Sequence, residues 1–386
     1  MKVTMVSNYI NHHQIPFCSA MYGALGADYA FIQTEPMEQE RVSMGWKEEK
    51  ALPYVYCGYE QPEVCRKLIE TSDVVIWGGV EDETWLKPRL EAGRPVLRYC
   101  ERMYKTGLWK AVSPKGLWKK YHDHTRHNNK PVYLLCAGAY VPLDFRVIRA
   151  YTGKRLRWGY FPETRHYDVD NLLAEKAPEI LWAARWIDWK HPELMVELAR
   201  KLREKGLPFH ITMVGDGEVR PQVEQMIWES DLAEYITLTG VMGPDGVRGK
   251  MEQASIFVMT SDREEGWGAV VNEAMNSGCA VVAGHMAGCV RYLIEDGRNG
   301  FIYRDGDAGE LAEKVSRLLT EEGLCERMGR SAYDTIVTLW NAETAAARLL
   351  KLCEQITKGE EITFCEEGPL SQAPVLKERI NRSNGK

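Results

Sequence analysis

Short apolar runs alternate with longer amphipathic stretches along most of the chain. Each run is bounded by turn residues or by a helix-like stretch, and this alternation favours parallel sheets covered by helices in each half. Helices are predicted at 192–205 and 221–229, because proline is tolerated in a first helical turn. The apolar runs predict strands at 3–6, 29–33, 74–77, 96–99 and 133–136, and in the second half at 180–184, 210–214, 236–238, 256–259 and 280–283.

The length of the chain favours two domains, since two cores of typical size account for 386 residues. The segment 158–164 contains glycine and proline and has neither helical nor strand periodicity, so we place the hinge there. We predict domains at 1–161 and 165–340, with a helix at about 341–357 that returns to the first domain. Residues 358–386 lose apolar periodicity and are predicted to form a poorly ordered tail.

Composition narrows the class of protein. No window approaches the roughly 18 consecutive apolar residues that a spanning helix needs. Residues 1–7 are too short an apolar run for a signal peptide and resemble a first buried strand, so we expect a cytoplasmic location. The ten cysteines form no Cys-x-x-Cys pair, which is typical of reduced, mostly buried thiols.

Positive charge is concentrated in one stretch, although the whole chain carries a net charge of −6. Residues 94–160 contain fifteen Lys or Arg against three acidic residues, a net charge of +12. Tyr104, Trp109, Trp118 and Tyr121 lie among these cations, as in proteins that bind anionic membrane surfaces. The stretch therefore predicts either peripheral docking at the inner face of a membrane or a basic groove for an anionic acceptor. No nucleic-acid-binding signature accompanies it, and no nucleic-acid partner is expected.

The most informative stretch, 261–278, follows a predicted strand and becomes a helix. Glycines at such a junction let backbone N–H groups approach an anion such as a diphosphate. If the helix begins near Gly268, Glu273 lies roughly 8 Å along its axis while Glu265 stays in the preceding loop. Carboxylates accept hydrogen bonds from sugar hydroxyls, so one of them suits a transferred sugar and the other a ribose. The residues expected to surround the diphosphate are Gly266, Trp267, Gly268 and Ala269.

This stretch, Glu265-Gly-Trp-Gly…Glu273-Ala-Met-Asn-Ser-Gly, closely resembles the Glu-x7-Glu signature of the family 4 retaining glycosyltransferases. Residues 296–301 also resemble that family's Asp-Gly-x-Asn-Gly turn. The resemblance implies an α/β protein of the GT-B fold, with two Rossmann-like domains facing each other across a cleft. It further implies that Glu265 contacts the donor sugar and Glu273 the ribose of a nucleotide diphosphate sugar, whose sugar is transferred with retention to an acceptor hydroxyl.

Arg185 and Lys190 follow the predicted strand 180–184 and can reach the carboxyl edge of the sheet, where ligands bind in open α/β sheets. Two cations there can neutralise a diphosphate leaving group, although single surface cations are common. Their spacing is similar to the family's diphosphate clamp, so we expect no metal and no other cofactor. Gly215 belongs to a turn that resembles the family's Gly-Asp-Gly turn, and Val241 occupies the position where the family receives the base.

In the first half of the chain the resemblance is weaker, so the site residues there are assigned less directly. Asn8 and His13 follow the first predicted strand and are expected to line the cleft, with helix capping as the alternative. Glu101 ends the strand that in the family ends in a His beside the reacting sugar, so we expect it at the reaction centre with Arg98 or Arg102 nearby. A structural ion pair with one of these arginines is the competing interpretation. His122, His124 and His127 are too irregularly spaced to predict a metal site.

The resemblance thus predicts a retaining glycosyltransferase that uses a saccharide or lipid-linked acceptor, as in cell-surface polysaccharide or glycolipid assembly. Closure about the hinge would expel water from the cleft. Two alternatives stay open: a sugar-nucleotide epimerase or phosphorylase of the same fold, and an inactive nucleotide-sugar-binding partner of a synthase. The missing His leaves the last of these open, whereas the intact Glu265, Glu273, Arg185 and Lys190 argue against it.

Overall fold

The structure is a computed structural model that describes residues 1–39, 51–105, 107, 113–376 and 378. In these residues the strands form two sheets in which every neighbouring pair is parallel. The first sheet has the order β3-β2-β1-β4-β5-β6-β7 and the second has the order β10-β9-β8-β11-β12-β13. The first-sheet strands are β1 Val3–Ser7, β2 Tyr29–Gln33, β3 Val55–Cys57, β4 Val74–Gly78, β5 Val96–Cys100, β6 Val132–Ala137 and β7 Arg155–Trp158. The second-sheet strands are β8 Ala177–Ala183, β9 His210–Val214, β10 Ile236–Gly240, β11 Ala254–Met259, β12 Ala280–Gly284 and β13 Phe301–Tyr303.

Helices cover both faces of the sheets, as parallel crossover connections require. In the first half of the described chain they are α1 Ile15–Leu25, α2 Pro62–Thr71, α3 Lys87–Glu91, α4 Pro114–Asp123 and α5 Val141–Val147. The later helices are α6 Val169–Ala174, α7 Glu193–Glu204, α8 Arg220–Glu229, α9 Pro244–Gln253, α10 Ala269–Asn276, α11 Val290–Leu293, α12 Ala308–Thr320, α13 Leu324–Thr338 and α14 Ala342–Lys358. Short 3₁₀ turns occupy Gly26–Asp28, Thr125–His127 and Asp188–Lys190. No helix among the described residues is long and apolar enough to cross a bilayer.

The two-sheet architecture confirms the predicted α/β class, and every predicted strand is present with small shifts at its ends. Three strands were missed. β3 and β13 are only three residues long, and β7 alternates arginine with apolar residues, so none of them shows a buried apolar run. The two predicted helices begin at Glu193 and Arg220, within a residue of the predicted starts.

The segment that connects the domains is more buried than its composition suggests. Trp158 ends β7 rather than opening a hinge, and both Trp158 and Phe161 are buried. Their rings meet edge to face at 5.0 Å, and Phe17 of α1 packs edge-on against Trp158 at 5.2 Å. The non-regular connection is therefore shorter than predicted and begins at Gly159.

The chain returns to the first domain after the second sheet is complete. Helix α14 packs along α1, as the sequence predicts. The following residues correct the prediction of a poorly ordered tail for 358–376, whereas residues 377 and 379–386 of that predicted tail lie outside the described residues. Leu370 and Ser371 are buried, and backbone hydrogen bonds of 2.8 Å join Arg157 N to Ser371 O and Leu370 N to Arg157 O. This C-terminal segment thus pairs with the edge of β7, with Leu156 opposite Gln372 in antiparallel register.

A large cleft lies between the two sheets. It has a volume of about 1520 Å³ and is lined on both sides by loops that follow the carboxyl ends of the strands. The first domain contributes the segments after β1, β4 and β5, and the second contributes the segments after β8, β9 and β11. The domain boundaries themselves stay a prediction.

Candidate active site

The loop Glu265–Ala269, called the donor loop after the role that its sequence predicts, forms the floor of the cleft on the second-domain side. Gly268, with a φ of 94°, caps the N-terminus of α10, which begins at Ala269 as predicted. The backbone of this loop can therefore offer N–H groups at a helix start to an anion. Trp267 differs from expectation, because its indole is buried and donates a 2.8 Å hydrogen bond to Asn272 Oδ1. Its side chain supports the loop, and its backbone is the part available to a ligand.

Two cations, Arg185 and Lys190, line the same cleft as this loop, and Lys190 contacts it. Lys190 forms a largely buried ion pair with Glu265. The Lys190 ammonium lies 4.3 Å from the ring centroid of Trp189, and the Arg185 guanidinium lies 6.0 Å from the same ring. Both cations therefore lie within cation–π distance of Trp189, and both line the cleft together with this loop.

The turn at Gly215 packs against the end of β8. Gly215 has a φ of 122°, and a Cβ added there would lie 1.9 Å from the carbonyl oxygen of Ala184. Only glycine fits this position, because both the backbone conformation and the contact exclude a side chain. Gly215 N donates to Gly240 O at 2.8 Å, which places the exposed Val241 at the cleft beside the turn.

Glu273 lies on α10 with its carboxylate half-buried in the cleft. Burial raises the pKa of Glu273 to about 7. The nearby positive charges of Arg248 and Arg165 lower it, but by less than burial raises it. Glu273 is therefore partly protonated near neutral pH while the cleft holds no ligand.

His12 and His13 approach Glu273 from the first domain. One potential ligand atom from each of the three side chains lies within 4.8 Å of the others. The two imidazole rings are 3.9 Å apart. Sequence analysis assigned His13 to the cleft but missed His12 and this grouping, since the contact joins residues about 260 positions apart. Of the groups that could hold a metal ion, this is the one found among the described residues.

Glu101 follows β5 and reaches across to the donor loop. Tyr160 donates a 2.7 Å hydrogen bond to Glu101 Oε1, and Lys105 Nζ donates a 2.9 Å bond to Glu101 Oε2. The carboxylate lies so close to the donor loop that a Cβ on Gly266 would be 1.9 Å from Oε2. Glu101 therefore lies beside the donor loop of the facing domain, and its assignment to the reaction centre stays a prediction.

The arginines expected beside Glu101 have other partners, so Glu101 pairs with neither of them. Arg98 forms two hydrogen bonds to the Glu83 carboxylate, at 2.6 and 3.0 Å. Arg102 is buried with Asp144 and also pairs with Glu378 of the C-terminal segment. The cation beside Glu101 is Lys105, four residues later, a spacing that the sequence could have indicated. No comparable spacing in the sequence indicates Tyr160, because this residue lies in the connection between the two domains.

The structure also places the remaining residues that were singled out in the first domain. Asn8 lines the cleft, and its Oδ1 accepts a 3.2 Å hydrogen bond from Ser7 Oγ. The three downstream histidines form no metal-type group among the described residues. His124 is buried and bonds Tyr151 OH at 2.9 Å, while burial lowers the pKa of His127 to about 4.

The cationic stretch 94–160 is less exposed than its composition suggests. Arg98 and Arg102 are buried in ion pairs, and Tyr104 is buried where Asp144 accepts its backbone N–H. Tyr104 is therefore not a surface aromatic residue as predicted. Trp118 and Tyr121 are exposed, and Trp109 lies outside the described residues.

The loops, cations and carboxylates of the second domain correspond to a known sequence family. Residues 164–335 match the family described as "Glycosyl transferases group 1". The second half of the chain is therefore similar in sequence to the group 1 glycosyltransferases. The glycosyltransferase match includes Arg185, Lys190, Glu265 and Glu273, whereas Glu101, Asn8 and His13 lie outside it.

Curated relatives are similar to this chain over part of their length. The alpha-D-kanosaminyltransferase of Streptomyces kanamyceticus is 30% identical over 179 residues, which are 46% of each chain. The amylovoran biosynthesis glycosyltransferase AmsK of Erwinia amylovora is 27% identical over 205 residues, 52% of this chain and 50% of that protein. The chain thus spans about half the length of the curated relatives it matches.

Solved structures share the whole fold. A glycosyltransferase from Rickettsia africae superposes with a TM-score of 0.68 at 16% identity, covering 93% of this chain and 99% of that one. HepE of Anabaena, solved with UDP and glucose, superposes with a TM-score of 0.64 at 15% identity, covering 92% and 100%. The chain therefore has the GT-B fold.

Proposed function

We propose that this chain is a retaining glycosyltransferase that moves a sugar from a nucleotide diphosphate sugar to an acceptor hydroxyl. The observation that supports this most directly is the meeting of three elements in one cleft. The backbone of Gly266–Ala269, the cations Arg185 and Lys190, and the facing carboxylate of Glu101 surround a common space. Relatives that act in amylovoran biosynthesis and on poly(ribitol-phosphate) make cell-surface polysaccharide or glycolipid assembly the proposed setting.

In this proposal the diphosphate binds against the amides at the start of α10 and between Arg185 and Lys190. Negative charge develops on the departing diphosphate as the bond to the anomeric carbon breaks, and these groups stabilise that charge. Diphosphate binding would compete with Glu265 for Lys190, which frees Glu265 to accept hydrogen bonds from the sugar. Glu273 would bind the ribose, and Gly215 and Val241 would contact the nucleoside.

The acceptor hydroxyl would attack from the same face as the leaving group, as the family's retaining reaction implies. The leaving phosphate oxygen would take the acceptor's proton, so no protein nucleophile is required. Glu101, held by Tyr160 and Lys105, would bind a hydroxyl of the donor or acceptor beside the reacting carbon. Asn8 and His13 would close the cleft over the donor. No divalent cation or other cofactor is required, because protein charges and amides perform the electrostatic work.

A thermal-shift screen tests the donor assignment. UDP, GDP, ADP and their sugars are each added at saturating concentration, and the correct nucleotide should raise the midpoint of unfolding by mass action. Product analysis with the selected donor then separates the alternatives, since an epimerase converts the donor without any acceptor. No stabilisation by any of these nucleotides would overturn the proposal.

We further propose a peripheral cytoplasmic location at an anionic membrane surface, with a saccharide or lipid-linked acceptor. The cationic excess of 94–160 supports this location.

A further inference from the structure

Two histidines of the first domain and one carboxylate of the second domain meet inside the cleft. His12, His13 and Glu273 each offer one potential metal-ligand atom, and these three atoms all lie within 4.8 Å of one another. All three side chains are half-buried and line the cleft. The group is therefore partly sheltered from water and still open to a small ion that enters the cleft.

The turn that carries the two histidines is closed by its own hydrogen bonds. Asn11 O accepts hydrogen bonds from Gln14 N at 2.8 Å and from Ile15 N at 3.0 Å. Asn11 Oδ1 also accepts the backbone N–H of His13 at 3.0 Å. The backbone that presents both imidazole rings is thus fixed immediately before α1, and a preformed site loses little conformational freedom when it binds a ligand.

Glu273 meets this pair of rings with its carboxylate available to an incoming cation. Arg248 and Arg165 act on the carboxylate through their charge alone. Arg248 donates a hydrogen bond to Asn276 Oδ1, and Arg165 pairs with Glu252 at 3.1 Å. Both arginines therefore have direct partners other than Glu273.

The chemistry of the three ligand atoms selects the metal. Imidazole nitrogens combined with one carboxylate oxygen suit Zn²⁺ and similar transition metals, whereas Mg²⁺ and Ca²⁺ prefer oxygen ligands throughout. Two histidines and one glutamate can hold Zn²⁺ with a fourth position left to water. At Zn–ligand distances of about 2.0–2.1 Å, tetrahedral ligand atoms lie about 3.4 Å apart, so each atom has to move inward by less than about 1 Å.

We propose that His12, His13 and Glu273 form an inhibitory Zn²⁺ site that joins the two domains across the cleft. The metal occupies the carboxylate that the proposed function assigns to the ribose, so Zn²⁺ and the donor exclude each other. Its ligands come from both domains, so the metal also fastens the cleft with no donor inside. The competition rests on the proposed sugar transfer, whereas metal binding itself does not. Zn²⁺ is here an inhibitor and not a cofactor, which is compatible with a reaction that requires no metal.

Co²⁺ is the probe for binding, because it takes the same tetrahedral sites as Zn²⁺ and absorbs visible light there. Titration of the metal-free and nucleotide-free chain should produce the visible band of tetrahedral Co²⁺, without the near-ultraviolet charge-transfer band that a cysteine ligand adds. Zn²⁺ should displace the band and Mg²⁺ should not.

Single variants locate the site. His12→Ala, His13→Ala and Glu273→Gln should each weaken Co²⁺ binding roughly 100-fold, because even the outer-shell partners of a metal site are worth about 10- to 100-fold in affinity. His122→Ala is the matched control, since His122 is a half-buried first-domain histidine that does not line the cleft. It should bind Co²⁺ like the unmodified chain.

Calorimetric titration of the nucleotide at several Zn²⁺ concentrations tests the competition. The apparent Kd of the unmodified chain should rise in proportion to free Zn²⁺, whereas that of His12→Ala should not change. Nucleotide diphosphates chelate Zn²⁺ in solution equally with either protein, so the difference between the two proteins reports the site. Urea unfolding without metal checks that His12→Ala is as stable as the unmodified chain.

The outcomes separate the two proposals. Unchanged Co²⁺ binding in His12→Ala and Glu273→Gln, or a nucleotide affinity that Zn²⁺ lowers equally in His12→Ala and the unmodified chain, would overturn the inhibitory site. A chain that binds nucleotide but no Co²⁺ contradicts only the metal site. A chain that binds Co²⁺ at these residues but no nucleotide contradicts the sugar transfer.

Discussion

Gly266→Ala tests whether Glu101 must occupy its observed place against the donor loop. An added Cβ would lie 1.9 Å from Glu101 Oε2 and 2.2 Å from its Cδ. Ordinary contact begins at 3.4 Å, so the carboxylate has to retreat by at least about 1.5 Å. Its hydrogen bonds of 2.7 Å from Tyr160 and 2.9 Å from Lys105 cannot survive that shift.

The fold should tolerate this change, because the atoms in the way belong to the end of a flexible side chain. The two lost hydrogen bonds, each worth about 1 kcal/mol net, set the expected fall in the free energy of unfolding. The effect on activity should be larger, since misplacing a reacting group by about 1 Å costs roughly 100-fold in rate. We therefore expect kcat/KM to fall roughly 100-fold with only a small drop in stability.

The assay is release of nucleotide diphosphate from the donor selected by thermal shift, alongside urea unfolding. Gly249→Ala is the matched control, because a Cβ there meets nothing within 4 Å. Adding Gly266→Ala to Glu101→Ala should cause little further loss, since the clash then has no partner. Full activity in Gly266→Ala, or additive losses in the double variant, would refute the reasoning.

Four further outcomes are expected. The free energy of unfolding of the ligand-free protein should contain a contribution that falls as pH rises from about 4.5 to 7, because folding raises the pKa of Glu273 to about 7 and the folded state retains a proton that the unfolded state releases. Glu273→Gln should remove this contribution in urea titrations at a series of pH values. Lys190→Met should lower the affinity for the nucleotide. It should also lower the free energy of unfolding by about 3 kcal/mol, because it leaves the Glu265 carboxylate buried and unpaired. Arg185→Met should weaken nucleotide binding, measured by calorimetry, and should lower the free energy of unfolding by less than Lys190→Met does. A larger loss of stability than that of Lys190→Met would contradict the assignment of Arg185 to the diphosphate. Prolonged chelation with EDTA should leave the rate of sugar transfer unchanged, whereas loss of activity restored by one divalent metal would assign a role to the cluster of His12, His13 and Glu273.

The second domain could be predicted in detail because its chemistry is local in sequence. Glu265 and Glu273 lie on one loop–helix unit, and the start of α10 at Ala269 follows from the glycines before it. Arg185 and Lys190 follow one strand and converge on the same ligand edge. Strand periodicity was also reliable there, because the buried runs are long.

The first-domain site could not be predicted to the same depth, because its contacts join distant segments. Glu101 was placed from a resemblance in one strand, but its partner Tyr160 comes from the connection between domains. Tyr104 was misjudged because composition does not reveal that Asp144 binds its backbone. The C-terminal segment was misjudged because pairing with a strand edge needs backbone groups rather than a periodic apolar pattern.

The pairing of Leu156 with Gln372 also governs the order in which the molecule can be completed. The first sheet gains its last partner only after more than 200 further residues have left the ribosome, and α1 waits for more than 300 residues until α14 is made. During synthesis the first domain therefore keeps an open strand edge and an uncovered helix while the second domain folds beside it. A fragment that stops at the connection near residue 161 would retain both defects permanently, so the two halves are folding partners rather than separable modules.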